Sequence, residues 1–548
     1  MKRLSVLLSV LVTLSVLLSA CGAPAPVATE AATQAPVATE APIAAPVVLK
    51  YASHANITTW DPIVSFSTEA LYMANMYEQL LRVNPPDSAE KYMPLLAESW
   101  DKSADGLVWT FKLRPDVKFH DGEPMNAEAV KKSIEAAVDH GGASFIWLPL
   151  DKVEAVDDLT VKFTLKWAQP LELILGSEYA AYIVSPKALD AAAADENYWS
   201  AGIDAGTGPY MIESYTADKE LVLTQNKDYW GGWKPGQYDK VLVQFVPETT
   251  TRQQMLEGGE VDLASRLPND SKSTFETNPA YTNYLEPSLF NYTAFFNTLK
   301  APLDDIKVRQ ALSYAIPYDD IIKIGANGLG TQSHGAAPGG VFPYSEDVKQ
   351  YTYDLEKARA LLKEAGHEGG GFSLKLTYAS ENYTEETFAP LIKDSFAQIG
   401  VDVSIEALQF TQQWELAKTD PASKDAQDIF VLKYWPTYSD AGADNLWSMY
   451  YGGAESPYFN VTKFNLSYWK NDQYNALIDE AGPLSGTDTA ASLAKYTEAQ
   501  NLLVDQAPAA FLFDTKAWFV ISNSVAGFKY NLNYPDVDFW FYDLSPAK

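Results

Sequence analysis

The chain has one cysteine, Cys21, and it closes an apolar run near the start of the sequence. Everything after it must fold without a disulfide, and thiolate metal sites are excluded. A large domain built this way depends on its hydrophobic core alone. The run itself, Leu4 to Leu18, carries no charge and follows Lys2 and Arg3. That is the pattern of an export signal. It is shorter than the about 20 residues a membrane-spanning helix needs.

The tetrapeptide Leu18-Ser19-Ala20-Cys21 resembles a bacterial lipobox, which implies cleavage before Cys21 and lipidation of its thiol. Residues 22–47 are rich in Ala, Pro and Thr, lack aromatics, and contain "APVATEA" twice. Such a segment buries too little apolar surface to offset its ordering entropy, so it is expected to be a disordered spacer. Acyl chains gain roughly 0.8 kcal/mol per buried methylene, enough to tether a protein without a spanning helix. The expectation is an exported protein held to the outer face of the cytoplasmic membrane by lipid alone.

From Val48 onward strand-like and helix-like segments alternate. "LVWTFKLR" (107–114), "LTVKFTLK" (159–166) and "VDVSIEAL" (401–408) alternate apolar with polar residues, as half-buried strands do. "DLEKARALLKEAG" (354–366) predicts a helix capped by Asp354 and ended by Gly366, and "PLIKDSFAQIG" (390–400) predicts another. Asn126 is a candidate cap for a helix that follows it. A mixed α/β chain with more than one domain is expected.

Chemical signatures are sparse. HExxH, GxSxG and GxxxxGK are absent, and "SWDK" (99–102) is too short a match to carry weight. The five histidines are dispersed, so no metal site is expected. No cofactor is expected either. Forty-one basic against 71 acidic residues give a net charge of −30, which argues against nucleic acid as a partner. The many acids leave a glycosidase carboxylate pair unrecognisable from sequence, so a tethered glycoside hydrolase stays as a remote alternative.

Long ordered blocks are more informative. "PLLAESWDKSADGLVWTFKLRPDVKFHDGEPMNAEAVKKSIE" (94–135), "GTGPYMIESYTADKELVLTQNKDYWGG" (206–232), "VPETTTRQQMLEGGEVD" (246–262), "FFNTLKAPLDDIKVRQALSYAI" (295–316), "YDLEKARALLKEAG" (353–366) and "YTEAQNLLVDQAPAAFLF" (496–513) occur in this order. Together they resemble family 5 extracellular solute-binding proteins, the oligopeptide- and dipeptide-type receptors of ABC importers. The resemblance implies a bilobal periplasmic-binding-protein-like fold with an extra domain in the first lobe. Carried over, lobe I is 48–91, 204–297 and 515–548, the extra domain is 92–203, and lobe II is 298–514. It also implies a monomer that performs no covalent chemistry, traps a peptide or other polar solute by hinge closure, and delivers it to an ABC permease.

The resemblance points to "KYWPTYSDAGADNLW" (433–447) as the gripping segment. In peptide-binding relatives it reads approximately W-x-x-D-Y-x-[DE]-P, and its first Asp takes the ligand ammonium. Here Trp435, Thr437 and Tyr438 fall in that frame, with Tyr438 at the Asp position and Asp440 two residues later. The interval that carries a carboxylate-reading Arg in dipeptide binders, 367–389 here, has none. An oligopeptide fits this pattern better than a dipeptide, and an oligosaccharide stacking on Trp435 and Tyr438 is the alternative. Ser65, Phe66 and Tyr292 are further expected cleft residues, while Trp447 is expected in the core.

Overall fold

The computed structural model describes residues 45–548 apart from Asn56, Ala441 and 453–463. The export signal, Cys21 and nearly all of the spacer lie outside the described residues.

Two long antiparallel strands organise the molecule. Tyr281–Phe296 and Ala509–Ser522 pair along their length and join the sheets of both lobes into one eleven-stranded sheet. On one side stand the lobe I strands. Val48–Ser53 runs parallel to Lys240–Phe245 and Leu263–Ala264, and Glu220–Gln225 and Tyr210–Thr216 extend the sheet antiparallel. On the other side stands lobe II, where Phe372–Ala379 is parallel to both Val401–Leu408 and Ile429–Tyr434. The fold is mixed α/β and bilobal.

The pairing of the two crossing strands shifts register between Pro287 and Asn291. Pro287 has no amide to donate, which suits an irregular position, and a bulge bends a strand and re-aims its side chains. The shift separates the lobe I half of the ladder, Pro287↔Lys516, from the lobe II half, Asn291↔Asp514.

A separate four-stranded antiparallel sheet, Ala97–Lys102, Val108–Leu113, Thr160–Leu165 and Leu150–Asp157, forms the extra domain. Helix Ala127–His140 packs on it, and Asn126 caps that helix by accepting the Ala129 amide at 2.9 Å. The strands expected at 107–114, 159–166 and 401–408 are present. So is the helix over Leu355–Glu364, with Asp354 accepting the Lys357 amide at 2.9 Å and Gly366 at φ +83°.

The helix expected from Pro390 starts earlier, at Tyr383, and runs to Ala397 with Pro390 inside it. An interior proline removes one helical hydrogen bond, a cost of about 3 kcal/mol. The Asn382 cap and the burial of Phe388, Ala389, Ile392 and Phe396 outweigh it.

In lobe II, Ile429 and Val431 face one core while Phe430, Leu432 and Tyr434 face another. This strand is thus buried on both faces, which is why it reads as a continuous apolar run. Lys433 is its one charged residue.

Candidate functional site

In open α/β sheets ligands sit beyond the carboxyl ends of parallel strands. In lobe I these ends place His54 and Arg266 side by side. The His54 amide donates to the Ser265 hydroxyl at 2.9 Å, and its Nδ1 lies 2.8 Å from the same oxygen. Burial and the nearby Arg266 keep the His54 ring well below its usual pKa.

Arg266 holds a left-handed backbone, φ +45°, which is unfavourable for a bulky side chain. Buried Arg252 stabilises it. The Arg252 guanidinium donates to the carbonyls of Ser265 at 2.8 Å, Arg266 at 2.8 Å, Val246 at 2.6 Å and Pro247 at 2.7 Å. Arg266 then pairs with Asp536. About a third of its side chain stays accessible.

Asp536 and Asp538 come from the aromatic segment "YPDVDFWFY" (534–542). Both are buried, and each has an Oδ2 without a hydrogen-bond partner. Burial raises Asp538 to about 6, with Arg266 opposing the shift. Glu178 is buried with both oxygens unpartnered, so burial holds it far above the carboxylate range.

Across the gap, Lys433 ends its strand with its ammonium 3.5 Å from the Phe290 ring centroid. The Arg266 guanidinium approaches the same ring at 5.8 Å. Cations are attracted to an aromatic face. Burial and then Arg266 lower Lys433 to about 7, while Asp536 and Asp538 act the other way. Trp435 meets Phe290 edge-on at 5.5 Å.

The loop that follows Lys433 is tightly held. Asp444 accepts from the Thr437 amide and from the Tyr434 hydroxyl at 3.0 Å. Burial lifts it to about 6 despite these bonds. Asp440 accepts from the Gly442 amide at 3.0 Å and from Gln169 of the extra domain at 3.3 Å. The Ser177 hydroxyl donates to the Thr437 carbonyl at 3.0 Å, and the Ser439 hydroxyl reaches Asn533 at 2.7 Å. A Cβ on Gly442 would lie 2.6 Å from the Tyr496 ring, so glycine is required there.

Of the residues expected in the cleft, Trp435, Thr437, Tyr438 and Asp440 share this loop. Tyr438 is buried against the extra domain's core. Phe66 packs edge-on to Tyr179 at 5.1 Å and near Phe464 of lobe II at 5.5 Å, so it spans the two lobes. The Ser65 hydroxyl is engaged by Glu69 at 2.9 Å. Tyr292 pairs in register with Lys433, stacks on Phe513 at 4.7 Å in the lobe II core and donates to Asn382 at 3.3 Å.

Trp447, expected in the core, is only partly buried. It stacks on Phe145 at 6.4 Å and lines a cavity of about 250 Å³ with Trp167, Gln169, Tyr438, Asp479 and Tyr496. The cavity lies between the extra domain and lobe II, and Arg266, Lys433, Asp536 and Asp538 are not among its lining residues. Sequence reasoning missed Arg266, Lys433, Asp536 and Asp538. The signals were a lysine in an otherwise apolar strand and two acids in an aromatic run.

Comparison with known proteins accords with this architecture. The family model described as bacterial extracellular solute-binding proteins, family 5 Middle, matches residues 91–457. The glutathione-binding protein GsiB of Pectobacterium atrosepticum is 30% identical over 452 residues, 81% of this chain and 84% of that protein. The periplasmic binding protein DppA from Helicobacter pylori, in complex with peptide STSA, superposes with a TM-score of 0.79 at 26% identity, covering 91% of this chain and 98% of that one. AgaA from A. tumefaciens R10, in complex with agropinic acid, gives 0.78 at 25% identity over 91% and 99%. With its crossing strands, extra domain and charged interlobe cleft, the chain belongs to the family 5 bacterial extracellular solute-binding proteins.

Proposed function

We propose that this protein is the peptide receptor of an ABC importer. It would be tethered through lipidated Cys21 outside the cytoplasmic membrane, work as a monomer, and release its solute to the permease. The observation that carries the reading is the charged cleft. Lys433 of lobe II lies near Arg266, Asp536 and Asp538 of lobe I, with Arg266 paired to Asp536, and burying charged groups is costly unless a ligand or partner compensates them. A neutral oligosaccharide has no use for this arrangement, whereas a peptide does. Relatives that hold glutathione and the peptide STSA support the same class.

In this reading Trp435 and Phe66 form the aromatic walls. Thr437, Tyr438 and Asp440 shape the loop, and Ser65 and Tyr292 support it from lobe I. Capture proceeds by hinge closure. The hinge lies at the register shift, 287–291, opposite 514–516. The lobe limits 48–91, 204–297 and 515–548 for lobe I, 92–203 for the extra domain and 298–514 for lobe II are proposed with it.

Native mass spectrometry of protein purified without added ligand, sprayed before and after denaturation, tests the function. Retained masses spaced as amino-acid residues are expected. Hexose or pentose increments would replace the peptide reading with sugar uptake.

A further inference from the structure

The extra domain returns to lobe I beside a buried histidine. His120 sits in the turn between the strand Val108–Leu113 and the helix Ala127–His140, a turn closed by the bridge between Lys118 and Pro124. Its ring reaches the stretch 204–208, where the chain leaves the extra domain for the lobe I strand Tyr210–Thr216. Nδ1 lies 2.7 Å from the Asp204 Oδ1, and Nε2 lies 2.8 Å from the Gly208 carbonyl oxygen. The side chains of His120 and Asp204 are only 1% and 6% exposed, so water does not share these bonds.

The partners fix the protonation of the ring. A carbonyl oxygen can only accept. Asp204 also acts as an acceptor, taking the Gly206 amide on Oδ1 and the Ile212 amide on Oδ2, each at 3.1 Å. Both ring nitrogens therefore donate, and a histidine that donates from both carries a positive charge. Burial disfavours that charge, but Asp204, the hydrogen bonds to it and to Gly208, and Glu78 outweigh it and lift the ring above the usual histidine range. The titratable groups around the return are Asp204 itself, Glu78, and Tyr77, whose hydroxyl takes the Ala205 amide at 3.1 Å. Asp121, in the turn of His120, is engaged by the Ser185 hydroxyl at 2.7 Å.

The return is fixed on its other side by lobe I. The Gly208 amide donates to the Met76 carbonyl at 2.8 Å, and a Cβ on Gly206 would lie 2.1 Å from that carbonyl oxygen. The His120 amide donates to the Gly206 carbonyl at 2.8 Å. Backbone and ring of His120 thus tie the extra domain to a stretch wedged against the helix Ala70–Met76.

We propose that His120 is a proton-operated clasp: its imidazolium seats the extra domain on lobe I, and loss of the ring proton at alkaline pH unseats it. A neutral ring keeps only one of the two bonds, and the other acceptor loses a buried donor. The clasp is fully engaged below about pH 6.5, the value of an unfolded histidine, and is lost as pH rises through the higher value of the folded one. The same domain holds the lobe II loop through Gln169 and Ser177, so unseating it frees that loop too.

Nitrogen-15 NMR of the full chain labelled on histidine, from about pH 6 to about pH 10, reads the ring. His120 is assigned as the signal absent from His120→Gln. Hydrogen exchange over the same range, corrected for its intrinsic rise with pH, reads the junction. Two protonated ring nitrogens are expected at neutral pH. Protection over 115–125, 204–212 and 435–440 should fall about ten-fold or more in the pH step where the ring loses its proton. His120→Gln should show no step. Asp204→Asn keeps an acceptor for Nδ1 without the charge, and should move the step down by about one pH unit or more, which tests the clasp even if His120→Gln does not fold. A ring neutral at pH 7, a ring still charged at the top of the range, or protection that ignores the titration would overturn the clasp. A step confined to 115–125 and 204–212 would overturn the link to lobe II.

Discussion

Two sets of buried acids flank the cleft, and their surroundings differ. In the lobe II loop, Asp444 accepts from Thr437 and Tyr434, and Asp440 accepts from Gly442 and Gln169. In lobe I, Asp536, Asp538 and Glu178 each keep at least one oxygen without a donor. Acids whose oxygens are filled by their own chain hold a shape. Acids whose oxygens are left bare are held in place by their surroundings, at a cost, and are free to meet a ligand. The acids of the segment that resembles a ligand grip are thus satisfied by their own chain, and those of lobe I keep oxygens that are not.

Removing a filled acid should have the largest effect on stability. Asp444→Ala strips the loop of the acceptor for the Thr437 amide and the Tyr434 hydroxyl, both buried. Hydrogen bonds to a charged group contribute about 1.5–3 kcal/mol each, so a loss of roughly 3 kcal/mol is expected. Urea unfolding checks it: an unchanged midpoint would mean that water replaces Asp444 without loss and that the contrast between the two sets does not hold.

An unfilled acid should behave in the opposite way. Folded Asp538 keeps its proton up to about pH 6, while an ordinary Asp releases it near 3.9. Between these values the native state binds more protons than the unfolded chain, so this group lowers stability as pH rises through that window. Asp538→Asn removes the effect. The variant should match wild type near pH 4 and gain on it up to pH 6, reaching about 3 kcal/mol and staying level above. A variant less stable than wild type at pH 7 would show that Asp538 has a partner after all.

The difference between the two sets also explains what the sequence could disclose. Strand alternation at 107–114 and 159–166, the Asp354 and Asn126 caps and the ordered blocks lie in local pattern, so architecture was legible. The helix at Tyr383–Ala397 was misjudged in extent because Pro390 is a strong local stop signal that tertiary burial overrides. Arg266, Lys433, Asp536 and Asp538 come from three separate stretches of the chain, and only the fold brings them together. Whether an acid is filled depends on donors far away in sequence, as Gln169 is from Asp440. No local pattern records that.

The smallest expected effect concerns the contacts between the lobes. Ser439 donates across the gap to Asn533, which keeps its own bonds to the carbonyl of Asn84 at 2.8 Å and to Asn531 at 3.1 Å when the hydroxyl is gone. Ser439→Ala takes this donor from the Asn533 Oδ1, but Asn533 is only half-buried and water can replace the hydroxyl, so the cost to unfolding should stay below about 1 kcal/mol. The bond joins the lobe II loop to lobe I, so it belongs to the closed arrangement. A ligand or mutation shifts a two-state equilibrium only by its differential effect on the states. A loss of up to about 1 kcal/mol in the closed state alone would speed solute dissociation by up to about five-fold while leaving the association rate nearly unchanged. Stopped-flow displacement of a bound peptide separates the two rates. Equal changes in both would mean that the Ser439 contact forms before closure, and that the filled loop docks onto lobe I whether or not the unfilled acids have met a ligand.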